Sequence, residues 1–262
     1  MRRALMGAVV AVSALGCAVS TQQEVQLGRD YASQINAQLP IVQDAEINRY
    51  ISVLGDSIAK LSDDRNLDWH FYVVNSKEVN AFAVPGGYIY INRGLIERAE
   101  NLSQLAGVLG HEIAHVTERH SIEAMQKSQT ANVGVTLACV LLKACGDAVT
   151  QTAINVAGGA YFARHSRQAE SESDAKAVRY VMRAGIHPAG IPEMFRTLLD
   201  ERQRRPAGVE AWFSTHPLEE DRIQHTQALI AQIDAAILAT LTRDSPNFQS
   251  FKRRVASLPA GG

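Results

Sequence analysis

Two histidines four residues apart, with a glutamate directly after the first, are the residues of this chain best suited to metal chemistry. They form the stretch His111-Glu112-Ile113-Ala114-His115. Residues four apart lie one above the other on an α-helix, so His111 and His115 can direct two imidazole nitrogens at one Zn²⁺ ion. Glu112 would then lie close enough to take a proton from a water molecule on the metal. Because so short a pattern also occurs by chance in exposed helices, this interpretation requires a helix and a third ligand.

The sequence lacks a third histidine at the spacing that one class of zinc hydrolase uses. In that class the third histidine lies ten residues after the first, and a glycine lies three residues before the third histidine. Here those positions are Ser121 and Glu118. His120 is one residue short, and on a continuing helix it would point about 140° away from the two ligands. We therefore expect His120 to support a ligand or the fold rather than to bind the metal.

A carboxylate from a second helix is the remaining candidate for the third ligand. Glu170 and Asp174 are four residues apart and share a helix face, whereas Glu172 lies about 200° round from Glu170. Glu170 could bind the metal while Asp174 accepts a hydrogen bond from the outer N–H of a ligand histidine. The alternative is a solvated acidic face flanked by Arg167 and Lys176.

Local patterns predict the elements that would position these groups. Asn101, three residues before Gln104, is typical of a helix start, and the helix that follows carries the two histidines on an apolar back. A second helix over 166–184 carries the acidic residues. The other predicted helices are 22–39, 45–61, 191–204, 218–241 and 245–258, and the predicted strands are 69–74 and 88–91. The expected fold is α+β and mostly helical, with a small antiparallel sheet beside the metal-binding helix.

The second strand has two interpretations. It follows the break at Pro85-Gly86-Gly87, so the simplest prediction is a plain hairpin. The functional alternative is an edge strand near the metal, in which Gly87, Tyr88, Ile89 and Tyr90 bind an extended peptide through backbone pairing.

Several motifs in order along the chain resemble metallopeptidase family forty-eight, the HtpX and CaaX prenyl protease group of gluzincin zinc endopeptidases. The resemblance spans roughly residues 24 to 230. Its motifs are Asn80-Ala81-Phe82-Ala83-Val84-Pro85-Gly86-Gly87, then His111 to His115 with Arg119-His120, then Ser166-Arg167 with Glu170 and Asp174, then Ala184-Gly185 with Pro188, and Ser214-Thr215-His216-Pro217 with Arg222.

The resemblance implies a gluzincin fold and one Zn²⁺ per chain, with His111, His115 and Glu170 as ligands and Glu112 as the catalytic base. Ser173 stands where the family often has alanine, which leaves the ligand and Asp174 intact. Membrane-embedded members have several spanning helices, and no such segments follow the N-terminal region here. The chain is therefore similar to the soluble periplasmic lipoprotein branch, which is associated with envelope protein quality control.

His216 and Arg222 enter through the resemblance alone. In one interpretation His216 is a loop histidine fixed by Pro217, and Arg222 merely binds a nearby carboxylate. In the other, His216 reaches the metal, where it stabilises the oxyanion or occupies the open position in a resting form.

Composition bounds the domain organisation and the partners. The chain has 262 residues, of which 46% are hydrophobic, so it can build one sizeable core. Its formal net charge of −1 comes from 26 basic and 27 acidic residues spread along the chain, which does not favour nucleic acid as a partner. We expect a single metallopeptidase domain over 17–262, with 242–262 forming a peripheral helix and tail.

Residues 1–16 are typical of an export signal, with Arg2 and Arg3 before an apolar run. Ala14-Leu15-Gly16-Cys17 resembles a bacterial lipoprotein signal, so we expect Cys17 to be lipidated, against ordinary cleavage or an uncleaved anchor. The residues after Cys17 contain no acidic retention signal, which favours the periplasmic side of an outer membrane. Cys139 and Cys145 could form a local disulfide or remain two buried thiols.

These observations together predict a zinc-dependent endopeptidase that acts on unfolded or misassembled cell-envelope proteins. The expected partners are unfolded or extended polypeptides, the outer-membrane protein assembly machinery, and a membrane reached through lipidated Cys17. The alternative is a latched or weakly active zinc protein that acts as a chaperone or assembly factor for outer-membrane proteins.

Overall fold

The computed structural model describes residues 19–130, 165–217 and 220–259. In chain order its elements are α1 (Thr21–Gln38), α2 (Ala45–Ala59), β1 (His70–Val74), β2 (Ala81–Val84), β3 (Tyr88–Asn92), α3 (Arg93–Arg98), α4 (Leu102–Thr117), α5 (His120–Thr130), α6 (Arg167–Arg183), α7 (Gly190–Arg204), α8 (Pro206–Thr215), α9 (Glu220–Ala231), α10 (Ala235–Leu238) and α11 (Pro246–Ala256). The predicted mostly helical α+β fold is confirmed.

The three strands form a mixed sheet in the order β1-β3-β2. β2 and β3 make the hairpin predicted around Pro85-Gly86-Gly87, with Ala81 opposite Ile91. β1 runs parallel to β3, with His70 opposite Tyr88. β1 and β3 run in the same direction and β2 runs in the opposite one, as in an antiparallel meander. In a meander β2 would be the central strand, but here β3 lies between β1 and β2. The expectation of a purely antiparallel sheet is therefore wrong for the β1–β3 pair.

The central position of β3 changes the interpretation of its residues. All five residues of β3 are buried, and β1 and β2 occupy both of its backbone edges. A strand paired on both sides has no free N–H or C=O row for a peptide. The expectation that Tyr88, Ile89 and Tyr90 form an edge strand is therefore wrong, whereas Gly87 lies in the turn before β3.

The main hydrophobic core is built around α4, which packs on α2, β2, α6 and α7. Leu105, Leu109 and Ile113 on α4 are fully buried there, together with Ile89 and Ile91 from one face of the sheet. Each such side chain contributes about 1.5–3 kcal/mol of hydrophobic free energy. The helix that carries the histidine pair is thus an interior element and not an exposed one.

A second, smaller core lies on the other face of the sheet. Leu27 and Tyr31 of α1 pack there with Tyr88, Tyr90 and other buried residues. α1 approaches the hairpin so closely that a Cβ on Gly28 would lie 1.8 Å from the Pro85 carbonyl oxygen. This contact fixes α1 against the turn between β2 and β3.

The C-terminal helix α11 belongs to the main core. Its Phe248, Phe251 and Val255 are buried, and the Arg93 guanidinium donates to the carbonyl oxygen of Leu258 at 2.7 Å. The helix predicted over 245–258 is confirmed, but the described part of the segment 242–262 is integrated rather than peripheral.

Two other helices differ from the prediction. The helix expected over 218–241 ends at Ala231, and the short α10 begins after the cap Asp234. α8 was not predicted, although Pro206 at its first position is a typical start signal. Within residues 19–130, 165–217 and 220–259, we find no helix with the length and apolar character needed to cross a membrane.

Candidate metal centre

The helix α4 is placed close to its neighbours by small residues. Asn101 caps it by accepting a hydrogen bond from the backbone N–H of Gln104 at 3.1 Å. A Cβ on Gly110 would lie 3.1 Å from Val181 Cγ1 of α6, and one on Gly107 would lie 2.8 Å from Ile191 of α7. The missing side chains therefore let α6 approach α4, which brings the acidic residues of α6 to the histidine pair.

Four buried side chains converge between α4, α6 and the end of α8. His111 Nε2 lies 3.0 Å from His115 Nε2, and Glu170 Oε1 lies 3.3 Å from His115 Nε2. His216 Nδ1 lies 3.2 Å from Glu170 Oε1. One potential ligand atom from each of these residues lies within 4.8 Å of the others. The structure thus unites the predicted ligands His111, His115 and Glu170, and it adds His216 to the same cluster.

The surroundings of Glu112 test whether a metal would fit this cluster. Its side chain is fully buried, and neither carboxylate oxygen has a hydrogen-bond partner among the described residues. His216 Nε2 lies 3.5 Å from Glu112 Oε1. A buried carboxylate is normally hydrogen-bonded, so this one is suited to a water molecule or metal group between it and the histidines. Burial also raises the pKa of Glu112.

Asp174 and Arg222 support the cluster from the side of α6. His111 Nδ1 lies 2.9 Å from Asp174 Oδ1, which places the carboxylate where it would orient the ligand ring. Arg222 donates to both oxygens of Asp174 at 2.7 Å and to Glu170 Oε2 at 2.6 Å. The alternative that the acidic residues form a solvated face is wrong for Glu170 and Asp174, because both are fully buried.

The electrostatics follow from this arrangement. Burial alone would lower the pKa of His111, but Asp174 and Glu170 outweigh it and raise that pKa to about 9. For His115, burial dominates and lowers the pKa well below its usual value. Burial opposes ionisation of Glu170, yet the nearby His216 and the hydrogen-bonding histidines hold its pKa well below the ordinary range. Arg222 acts in the same way against the burial of Asp174.

His216 lies at the C-terminal end of α8 rather than in an isolated loop. Its ring stacks on Trp212 with centroids 4.5 Å apart, and its backbone N–H donates to the Trp212 carbonyl oxygen at 2.8 Å. α8 therefore positions at the ligand cluster a histidine that only the resemblance suggested.

His120 reaches the cluster by a turn that the helical projection did not include. α4 ends at Thr117, Arg119 adopts a φ of 60°, and α5 begins at His120. His120 Nδ1 thereby lies 2.9 Å from His115 Nδ1, on the side of the ring away from Glu170. The expectation that His120 supports rather than replaces a ligand agrees with this position.

Sequence reasoning did not identify His165. Its ring stacks on that of His115 with centroids 3.8 Å apart, and burial lowers its pKa to about 3. The one signal in the sequence was its place directly before Ser166, the cap of the helix that carries Glu170. Cys17, Cys139 and Cys145 lie outside the described residues.

A small cavity of about 250 Å³ opens beside the cluster. It is lined by Arg167, Glu170, Ser171, Pro217, Asp221, Arg222 and His225. Because Glu170 belongs to both the cavity wall and the ligand set, the cavity offers space next to the metal position.

Comparison with known proteins agrees with this site. A model of Peptidase family M48 matches residues 43–230. The chain is 32% identical over 218 residues to the Beta-barrel assembly-enhancing protease of Escherichia coli (strain K12), covering 79% of this chain and 44% of that protein. It is 26% identical over 205 residues to the Mitochondrial metalloendopeptidase OMA1 of Schizosaccharomyces pombe, covering 78% and 59%.

A further relative is the Metalloprotease YcaL of Escherichia coli (strain K12), which is 30% identical over 163 residues, or 62% of each chain. The matched part of the chain spans less than half the length of the β-barrel assembly-enhancing protease described above. The family model nevertheless covers every residue of the ligand cluster, the glutamate beside it and the arginine behind it. On these grounds the chain belongs to peptidase family M48.

Proposed function

We propose that this protein is a zinc-dependent endopeptidase in which His111, His115 and Glu170 hold one Zn²⁺ and Glu112 is the general base. The observation that carries the proposal is a fully buried Glu112 carboxylate without a hydrogen-bond partner in the described part of the chain, placed directly beside three converging ligand atoms. When bound, the metal would polarise a peptide carbonyl and lower the pKa of a water molecule toward neutrality.

The residues of this chain supply the proton handling and the orientation. Glu112 takes a proton from the attacking water and returns it to the leaving amine, and its raised pKa suits a group that must do both near neutral pH. Asp174 orients the ring of His111 through Nδ1. Arg222 offsets the charge of both buried carboxylates, so the site can hold Glu170 and Asp174 ionised without solvent.

Extended polypeptides are the substrates that this arrangement favours. β2 is the strand at the end of the sheet that packs against α4, whereas β3 is enclosed. The backbone N–H of Asn92 donates to the carbonyl oxygen of Asn80 at 2.9 Å. Every second residue of β2 bonds to β3 in this way, so the backbone N–H and C=O groups of Ala81 and Ala83 point away from β3. We assign any backbone pairing with substrate to β2, which would give loose side-chain selectivity.

The cellular role that we propose is hydrolysis of unfolded or misassembled cell-envelope proteins in the periplasm. The relatives named β-barrel assembly-enhancing protease support a role connected with outer-membrane proteins. The export pattern before Cys17 supports delivery to that compartment and attachment to the outer membrane as a lipoprotein. Partnership with the outer-membrane assembly machinery belongs to the same proposal.

Digestion of unfolded casein by wild type and by Glu112→Gln tests the enzymatic proposal. Elemental analysis should show about one zinc per chain in both proteins, because Glu112 is not a ligand in the proposed site. Cleavage should be chelator-sensitive in wild type and about 10²–10⁴-fold slower in the variant. Equal cleavage by the two proteins would reject Glu112 as the base.

A latched zinc protein is the second candidate, and the position of His216 favours it as the resting form. His216 Nδ1 lies 3.2 Å from the Glu170 ligand oxygen, so it can provide a fourth protein ligand. Four protein ligands leave no open position for water, which is the arrangement of structural zinc sites. In the latched form the protein would act as a chaperone or assembly factor for outer-membrane proteins.

The variant His216→Ala separates these candidates. If His216 latches the site, its removal should raise casein cleavage severalfold while Trp212, one turn earlier, remains in the core. If His216 instead stabilises the oxyanion, the same variant should cleave more slowly than wild type.

A further inference from the structure

The ring of His115 has a defined partner on the side away from the metal position. Its Nε2 faces His111 Nε2 at 3.0 Å and Glu170 Oε1 at 3.3 Å, so Nε2 is the ligand nitrogen. Its Nδ1 lies 2.9 Å from His120 Nδ1, and both rings are buried. When Nε2 binds a metal, Nδ1 must carry the proton, so His115 donates and His120 accepts.

This donor and acceptor assignment also fixes the second ring. Since Nδ1 of His120 accepts, its proton must be on Nε2, which lies 3.5 Å from Glu172 Oε2. Ser173 Oγ lies 3.3 Å from His120 Nδ1 and belongs to the same contact. The contact between the two Nδ1 atoms therefore fixes the tautomers of both His115 and His120. Asp174 performs the corresponding role for the other ligand histidine, His111.

The position of His120 depends on the turn at Arg119. A φ of 60° is unfavourable for a residue with a Cβ, so the surrounding contacts must hold Arg119 in this conformation. The guanidinium of Arg119 is held in that turn by two bonds, from Nε to Glu24 Oε2 at 2.7 Å and from Nη2 to the Val19 carbonyl oxygen at 2.5 Å. Both partners belong to the start of the N-terminal helix region, far away in sequence.

Glu24 is built into this contact and not attached loosely. It is 1% exposed and also accepts from Arg65 Nη1 at 2.9 Å. Arg65 in turn donates through Nη2 to the carbonyl oxygen of Val116 at 2.7 Å, near the end of α4. One buried carboxylate thus holds the two arginines that fix the end of α4 and the turn after it.

We propose that His120 is a positioning residue for the metal ligand His115, and that Glu24 of α1 sets this position through the turn at Arg119. The inference rests on the proposed zinc site. Zinc affinity would then depend on how α1 packs against the turn. Loss of the Glu24 contact would relax the turn and move His120, which would leave the Nδ1–H of His115 without its acceptor.

Zinc affinity, measured by competition with a chromophoric chelator, tests the role of His120. Partners of metal-ligating histidines typically contribute about 10–100-fold in affinity, so His120→Phe, which keeps a ring but has no acceptor, should bind zinc that much more weakly. His120→Asn restores an acceptor near the position of Nδ1 and should stay within about threefold of wild type. Wild-type affinity in His120→Phe, or equal weakening by both variants, would overturn the role.

Glu24→Gln tests the coupling to α1. Its zinc affinity should fall severalfold, and this loss should vanish in an Arg119→Gly background, because glycine adopts a positive φ without an anchor. The matched control is Glu46→Gln, which alters an exposed ion pair with Arg49 on α2 and should leave affinity unchanged. Unchanged affinity in a folded Glu24→Gln would overturn the coupling.

Spectra of the cobalt-substituted proteins supply a readout of ligand geometry that general destabilisation would not move. Circular dichroism at the titration temperature shows whether each variant is folded. If His120→Phe is unfolded, the zinc affinities of His120→Asn and Glu24→Gln decide the outcome. Because the measured quantity is metal affinity, a wild type that binds zinc but cleaves no peptide would reject the proposed function and leave this inference standing.

Discussion

Replacement of Arg222 by methionine should be among the most destabilising single changes at the metal centre. The guanidinium makes two bonds of 2.7 Å to Asp174, one of 2.6 Å to Glu170 and one of 3.1 Å to the Pro217 carbonyl oxygen. Asp174 is fully buried, and Arg222 is 7% exposed. Methionine can fill much of the same volume beside Phe195, so the main effect is the loss of charge.

The magnitude follows from what the change leaves behind. Removing one partner of a buried ion pair typically costs about 3–5 kcal/mol, because the other charge stays buried without compensation. Among the residues that the structure describes, Asp174 would keep His111 as its close polar partner. A loss of that size is a large part of the roughly 5–15 kcal/mol that stabilises an ordinary domain.

Denaturant unfolding followed by the fluorescence of Trp69 and Trp212 measures this free energy, with a chelator present to remove metal linkage. The control is Arg254→Met, which breaks a similar two-bond contact to Asp44 on an exposed surface and should change stability little. Arg222→Met combined with Asp174→Asn should recover part of the loss. Equal destabilisation by Arg222→Met and Arg254→Met would refute the reasoning.

The pH dependence adds a second check on the same variant. Arg222 holds the folded-state pKa of Asp174 below its ordinary value, so the ionised carboxylate stabilises the fold above the unfolded pKa of about 4. That contribution is lost as pH falls through the lower folded-state pKa. The stability difference between wild type and Arg222→Met should therefore be full at neutral pH and shrink under acid conditions. A difference independent of pH would contradict an electrostatic origin.

Two further predictions concern the metal site and the packing of α1. In the metal-free protein the pKa of His111 is raised to about 9, so zinc binding must displace a proton there, and affinity in chelator competition should rise by up to roughly tenfold per pH unit below that value. An affinity that is flat around neutral pH would contradict the protonated state. Gly28→Ala places a Cβ 1.8 Å from the Pro85 carbonyl oxygen and should destabilise the fold by at least about 1–3 kcal/mol in denaturant unfolding. The control Gly208→Ala meets only side-chain ends at 3.6 Å or beyond and should be tolerated, so equal losses would show that steric contact is not the cause.

The parts of the site that local rules govern were predictable from the sequence. The Asn101 cap and the apolar back place His111 and His115 on a helix, and the four-residue spacing pairs Glu170 with Asp174. Both predictions use only neighbours within a turn or two of helix. They hold because buried helices impose the same geometry on any sequence that forms them.

The errors arise where distant parts of the chain decide the structure. The position of β3 between β1 and β2 depends on strand order, which alternation and turn signals do not contain. His120 was projected on a continuing helix, whereas Glu24, 95 residues before Arg119, helps to hold the turn that redirects it. A similar limit applies to His216, because nothing near residue 216 indicates which helix its ring will face.

The four residues of the candidate metal centre come from three well-separated parts of the chain, α4, α6 and the end of α8, and the arginine that bonds to Glu170 follows on α9. No fragment that stops before α9 contains the whole arrangement. A chain emerging during synthesis, or one opened by partial unfolding of its C-terminal half, would therefore hold the reactive glutamate without a complete site around it. Under the proposed function, peptide hydrolysis would begin only after the fold has closed, which would protect the cell from a protease that is still being made.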